Sequence, residues 1–218
     1  MIDLHTHTLF SDGELLPSEL VRRMAALGYE AVGLADHVDA SNLDFVIPRL
    51  VKVSEDLNQG QSVRVVPGVE LTHVPPAQIG GLVAKARNLG AKIVVLHGET
   101  VVEPVAPGTN RAGLEAGVDV LAHPGLITAE DAAMAARKGI LLEISGRSGH
   151  SFSNGHVAKM AREAGAGLVL NSDAHAPRDL MTEDFGRRVV EGAGLGKGAH
   201  SELLQNARRL LEKIGCAR

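Results

Sequence analysis

At 218 residues, the chain has room for one substantial α/β core, taken as a single domain over 1–218, and is short for two. Aromatic residues make up only 2% and the formal net charge is −4, so base-stacking platforms are few and no stable duplex nucleic acid partner is expected. The lone Cys216 excludes an internal disulfide and a Cys-rich zinc framework. With no apolar run of membrane-spanning length and no basic-then-apolar leader, a cytoplasmic protein without a membrane partner is expected.

In chain order, apolar runs predict strands near residues 1–5, 31–36, 63–69, 93–97, 118–122, 140–144 and 167–171. Helical patterns fall between them. Pro17 suits the first turn of a helix carrying Leu20, Val21, Met24 and Leu27, and Gly28 is placed to stop it. Residues 78–89 run helically to Gly90, Thr128 can cap 129–138 before Gly139, and 155–164 end before Gly165. The stretch 192–198 is rich in glycine but has Glu191 where a phosphate-binding loop requires Gly, and Gly198 where it requires Ser or Thr. It reads as a flexible connection. The last segment, 201–214, places Leu203, Leu204, Ala207, Leu210, Leu211 and Ile214 at helical spacing and is expected to pack on the wall of the fold.

Nine residues able to bind metal sit at the polar ends of these apolar runs or in the turns after them: His5, His7, Asp12, His37, Glu70, His97, His123, Asp173 and His175. In extended chain, residues i and i+2 project to one side, so His5 with His7, and Asp173 with His175, can each reach one ion. A single His at a strand end is usually a hydrogen-bonded core or rim residue. Six of the ten histidines in one such series point instead to a metal site. Repeated βα units imply a parallel sheet, and ligands drawn from so many strand ends favour closure into a barrel over an open sheet with one switch point.

The motifs His5-x-His7 with Ser11-Asp12-Gly13, Ala35-Asp36-His37, Gly68-Val69-Glu70, His97, Ala122-His123-Pro124 and Ser172-Asp173-Ala174-His175 cover nearly the whole chain. In this order they resemble the polymerase and histidinol phosphatase (PHP) domain family. The resemblance implies a distorted (β/α)7 TIM-like barrel and a trinuclear centre of up to three divalent transition-metal ions. By this likeness His5, His7, Glu70 and Asp173 would hold one ion, Glu70, His97 and His123 a second, and Asp12, His37 and His175 a third. Glu70 would bridge the first pair, since a carboxylate offers two oxygens whereas a neutral imidazole gives one nitrogen. The mixed N/O donor set without thiolate suits Zn, Mn or Fe.

Paired ions of this kind generate hydroxide at neutral pH and neutralise phosphate oxygens. The expected activity is metal-dependent hydrolysis of a small phosphomonoester, with hydroxide at the centre as nucleophile. Glu70, Asp12 and His175 are the expected catalytic residues, the last two lying beside the third ion, where the leaving oxygen takes its proton. Arg147 and His150, after the sixth strand, and Arg178, soon after His175, are candidates to bind the substrate phosphate. His73 has only its nearness to Glu70 to recommend it. Asp3 and Asp36 adjoin ligands and read equally as acceptors for imidazole N–H groups or as structural residues, while Glu143 reads as structural. A nucleotide phosphodiesterase or short-oligonucleotide nuclease, a C–N hydrolase of the amidohydrolase type and a non-enzymatic metal-bearing module are the alternatives. The amidohydrolase pattern usually calls for a lysine where this chain has His97.

Overall fold

Strand and helix alternate throughout the computed structural model, which describes residues 1–217. The elements are β1 (Ile2–Thr6), α1 (Pro17–Ala26), β2 (Ala31–Leu34), β3 (His37–Val38), α2 (Leu43–Gly60), β4 (Arg64–Leu71), α3 (Pro76–Asn88), β5 (Ile93–His97), α4 (Thr109–Ala116), β6 (Val120–Ala122), α5 (Ala129–Lys138), β7 (Leu141–Ser145), α6 (Asn154–Ala164), β8 (Leu168–Asn171), α7 (Glu183–Gly192) and α8 (Ala199–Lys213). Neighbouring strands pair in parallel in the order β1-β2-β4-β5-β6-β7-β8, with β3 beside β4.

The two ends of that order meet. Asp173 N–H donates to His5 O at 3.0 Å and His7 N–H to Ala174 O at 2.9 Å. Lower on the seam, Asn171 Oδ1 accepts from Leu4 N–H at 2.9 Å, a side chain doing the work of a strand carbonyl. The result is a nearly closed, parallel seven-strand barrel, as expected of a distorted (β/α)7 TIM-like fold.

Strands in such a barrel are covered on both faces, which is why they read as continuous apolar runs rather than alternating ones. Outward side chains such as Val32, Leu34, Val94, Leu96 and Ile144 pack with Leu20, Met24, Ile79 and Leu114 of the helices. Inward side chains, among them Leu4, Val66, Val95, Val120 and Val169, form a second cluster joined by Ala207, Leu210 and Leu211 of α8. The C-terminal helix packs on β8 and β1, with Leu203 in the outer cluster and Ala207, Leu210 and Leu211 joining the inward one rather than the outer wall alone.

The structure departs from the sequence expectation in three places. The strand expected over 31–36 ends at Leu34, and the short β3 follows only at His37; between them Asp36 turns its carboxylate to accept Thr8 N–H, Thr8 Oγ1–H and Ser11 Oγ–H, each at 2.8 Å. Next, β4 continues through Leu71, since β3 and β5 both pair with its end, and Glu70 lies inside a strand rather than after one. The long helix α2 buries Val46, Ile47 and Leu50 and carries Pro48 within it, a residue that interrupts any pattern reading of a helix. Gly192 ends α7, and residues 193–198 form the connection to α8, with Gly194 and Gly198 at positive φ. Among the described residues no helix is long and apolar enough to cross a membrane.

Candidate metal centre

All nine predicted ligands converge at the C-terminal end of the barrel. His5 lies within β1, His7 just beyond it, His37 in β3, Glu70 in β4, and His97 at the last position of β5. The i, i+2 geometry expected for the first pair is present, with ring centroids 5.0 Å apart. His123 and Asp173 follow β6 and β8 with φ of 28° and 52°, a left-handed backbone uncommon for non-glycine residues and characteristic of functional sites. Two glycines make the approach possible. A Cβ at Gly13 would come within 2.5 Å of His7 O, so glycine lets the Asp12 loop lie against His7. A Cβ at Gly98 would come within 2.3 Å of Ala122 O, and its absence lets the turn after His97 run beside that before His123.

Glu70 is the hub. Its Oε2 is 2.7 Å from His37 Nδ1, 3.4 Å from His5 Nε2 and 3.7 Å from His7 Nε2, while Oε1 is 3.3 Å from His97 Nδ1 and 3.4 Å from His123 Nε2. Asp173 Oδ1 lies 3.1 Å from His7 Nε2, and Oδ2 lies 3.7 Å from His123 Nε2. Asp12 Oδ1 faces His175 Nε2 at 3.2 Å and His37 Nε2 at 3.5 Å. Donor atoms within 4.8 Å of one another therefore form overlapping groups: His5, His7 and Glu70; His5, His123 and Asp173; Glu70, His97 and His123; and His7, Asp12, His37 and His175.

These groups fit divalent ions better than they fit one another. His5 Nε2, both ring nitrogens of His7, His97 and His123, Glu70 Oε1 and Asp173 Oδ1 are buried without a hydrogen bond. Leaving so many polar atoms unsatisfied would cost about 1–3 kcal/mol each, a cost that coordination offsets. Charge points the same way. Burial opposes the charge on Glu70, but His5, His37 and His97 outweigh it and hold the carboxyl well below its ordinary value. Burial, together with His37 and His5, holds His7 well below the ordinary histidine value, in the neutral form that ligates metal. For His5, burial lowers the value, yet Glu143, Glu70 and Asp173 raise it well above the ordinary one. This is a demand for positive charge that a bound cation meets without protonating the ring.

A second layer holds the ligands. The structural reading of Glu143 is corrected here: its Oε2 is 2.8 Å from His5 Nδ1 and accepts from Asn171 Nδ2 at 2.9 Å, fully buried. A carboxylate on one ring nitrogen fixes the other toward the centre. Period-two alternation carries the signal, since Glu143 and the barrel-lining Ser145 share a face. Asp3 and Asp36 take the structural alternative. Asp3 accepts His5 N–H at 3.2 Å and Ser172 N–H at 3.1 Å, pinning β1 to the end of β8, and burial pushes its carboxyl up to about 7.

Of the candidate phosphate contacts, two reach the centre. Arg147 places Nη1 2.7 Å from His175 Nδ1 and donates to Asp173 O at 3.1 Å. His150 stacks on His123 with ring centroids 4.0 Å apart, and burial with the neighbouring His123 lowers its value to about 3. Arg178 is not brought in: its side chain is 77% exposed and pairs with Glu14 at 3.3 Å. Glu103, which no sequence pattern marks, stands 3.1 Å from His73 Nε2 and 3.0 Å from His97 Nε2. A cavity of about 260 Å³ opens here between Asp12, His37, Glu103, Arg147 and His150. A larger one, about 450 Å³, lies at the opposite end beside Ile2, Tyr29 and Arg64 and contains none of these donors, so chemistry rather than size identifies the site.

A PHP domain model matches residues 3–100. An uncharacterized protein of Methanocaldococcus jannaschii, MJ1295, is 46% identical over 215 residues, covering 97% of this chain and 99% of that protein. Among solved structures, a histidinol phosphate phosphatase of Lactococcus lactis, complexed with zinc, L-histidinol and phosphate, aligns with a TM-score of 0.62 at 18% identity over 89% of this chain and 94% of its own. The ochratoxinase of A. niger aligns with a TM-score of 0.64 at 13% identity, over 96% and 70% of the two chains. At such identities the structures establish a common fold. The matched family model places residues 3–100 in the PHP domain family, and the βα barrel continues through the rest of the chain.

Proposed function

We propose that the protein is a metal-dependent phosphoesterase that hydrolyses a small phosphomonoester at a centre of up to three divalent ions. The observation that carries this reading is Glu70, whose two carboxylate oxygens face separate groups of imidazoles, as a ligand shared between two ions requires. His5, His7, Glu70 and Asp173 would hold one ion, Glu70, His97 and His123 a second, and Asp12, His37 and His175 a third. Ions bound there supply Lewis acidity toward phosphate oxygens and lower the pKa of coordinated water.

The protein's own groups do the rest. Arg147, on the cavity wall, offers guanidinium donors to a phosphate oxygen. Asp12 Oδ1 and His175 Nε2, 3.2 Å apart at the outer edge where a leaving oxygen departs, would hold the third ion and so are not themselves free to carry its proton. His150, neutral and stacked on His123, lines the same cavity. The cavity suits a metabolite rather than a polymer, and the L-histidinol and phosphate bound by the Lactococcus structure support a small phosphorylated substrate. An amidohydrolase-type C–N hydrolase is less well supported, because His97 stands where that chemistry usually employs lysine.

The test compares kcat/KM for a panel of small phosphomonoesters with that for duplex DNA, at fixed salt and metal. Faster monoester hydrolysis is expected, since the acidic chain has little means of following a polyanion. A strong preference for polynucleotide would replace this reading with a phosphodiesterase. For Arg147→Ala, loss of a charge-assisted contact is expected to lower kcat/KM by roughly ten- to hundred-fold, on the order of 1.5–3 kcal/mol, with metal content retained. Lys should rescue only in part, having lost the planar donor fork. A fall in metal content in Arg147→Ala would instead make this residue a support for Asp173 and His175.

A further inference from the structure

His97 stands between two carboxylates, one facing each ring nitrogen. Its Nδ1 is 3.3 Å from Glu70 Oε1, inside the barrel, and its Nε2 is 3.0 Å from Glu103 Oε2, on the cavity wall. The Glu103 carboxylate is itself held. It accepts from His73 Nε2 at 3.1 Å and lies 3.5 Å from His150 Nε2. His73 makes that contact from a left-handed backbone at φ 51°. His97 Nε2 is buried, and no hydrogen bond of good geometry reaches it. The nearby carboxylate is the charge it faces.

The same arrangement occurs across the centre. Glu143 Oε2 lies 2.8 Å from His5 Nδ1, leaving Nε2 toward Glu70 Oε2 at 3.4 Å. In each case an outer carboxylate takes one nitrogen while the other is aimed at the hub. The difference is exposure: Glu143 is sealed, whereas the Glu103 side chain is 36% exposed, on the loop between β5 and α4.

We infer that Glu103 is a positioning residue for His97. By accepting the Nε2 proton it fixes the tautomer that presents the Nδ1 lone pair to the ion shared with Glu70 and His123, and it raises the basicity of that nitrogen. Its role is set by the distance to His97, and it needs no contact with substrate. This inference rests on the reading of His97 as a ligand in the proposed centre.

The test titrates Zn²⁺ or Mn²⁺ into the metal-free full chain against a chromophoric chelator, which reads metal affinity without any assay of hydrolysis. Glu103→Gln should weaken one of the bound ions by about ten- to hundred-fold and leave the others within a few-fold of wild type. Glu103→Asp should recover part of that loss, and His73→Ala should change little. The melting temperature of metal-free Glu103→Gln should match that of the metal-free parent, which separates ligand positioning from a general folding role. Wild-type affinity for every ion in Glu103→Gln would overturn the inference. So would an equal loss in His73→Ala, which would make Glu103 and His73 ligands of an ion of their own. His97→Ala distinguishes the levels: if it too keeps every ion at wild-type affinity, the metal-ligand reading of His97 fails, whereas loss of an ion there but not in Glu103→Gln removes only the role of Glu103.

Discussion

Glu70→Gln is expected to reduce hydrolysis by about a hundred-fold to a thousand-fold, and metal content should fall with it. The substitution keeps the shape of the side chain and removes its charge. In the protein that charge faces five imidazoles, three on Oε2 and two on Oε1. An amide has one oxygen and one NH2 group, so it can present an acceptor to one side only and would aim N–H donors at the nitrogens on the other. Lewis-acid stabilisation of several kcal/mol, at about 1.4 kcal/mol per ten-fold, gives the expected loss. The backbone should be unaffected, since β4 is fixed by pairing with both β3 and β5. Elemental analysis after reconstitution and kcat on the best small phosphomonoester would be measured together. Wild-type turnover with full metal loading would show that Glu70 bridges nothing.

The legible part of this site is the part set by strand period. His5 with His7 is recoverable because extended chain sends i and i+2 to one side, and apolar runs mark where a buried parallel strand ends; Asp173 with His175 is not of this kind, since Asp173 sits past β8 at φ 52° and the two face different donor groups. The same period carried Glu143, which lies two residues before Ser145 on the barrel lining and clamps His5 rather than merely filling space. Strand bounds were less legible, because pairing partners set them: Glu70 belongs to β4 only because β3 and β5 both reach it. Asp36 illustrates the same limit. Its neighbour in sequence is the candidate ligand His37, but its hydrogen bonds go to Thr8 and Ser11 on another loop.

Loop residues are where sequence reasoning ran out. Arg147 and Arg178 look alike as cations placed shortly after strands β7 and β8, yet one bonds Asp173 O and the other points outward to Glu14. The turn geometry that separates them has no periodic signature. Glu103 is six residues past His97 and returns to it only because the loop after β5 folds back over the barrel mouth, where Thr100 Oγ1 meets His150 Nδ1 at 2.8 Å. No local pattern encodes that return.

Removing the metal is expected to lower the melting temperature substantially as well as to abolish hydrolysis. Four of the histidines and two of the carboxylates are almost fully buried: His5, His7, His97, His123, Glu70 and Asp173. Without ions their unsatisfied donors and acceptors remain in the folded state, whereas the unfolded chain returns them to water. Binding to the native state alone stabilises it by about 4 kcal/mol for one site at a free metal concentration a thousand times the Kd. For a chain of this size, 1 kcal/mol corresponds to roughly 2–4 °C, so the first tightly held ion alone should be worth about 8–16 °C, with further ions adding to it. Zn, Mn and Fe should each be tried, since the N/O donor set admits all three. The measurement is a thermal melt of the chelated and reconstituted protein, with elemental analysis of both. Up to about three ions should return on reconstitution, since the donors divide into three sets, and the melting temperature should rise with them. A chelated sample shown to be metal-free that melts with the reconstituted one would mean that these donors do not hold ions in the folded protein, and a reproducible maximum of one ion would defeat the trinuclear centre.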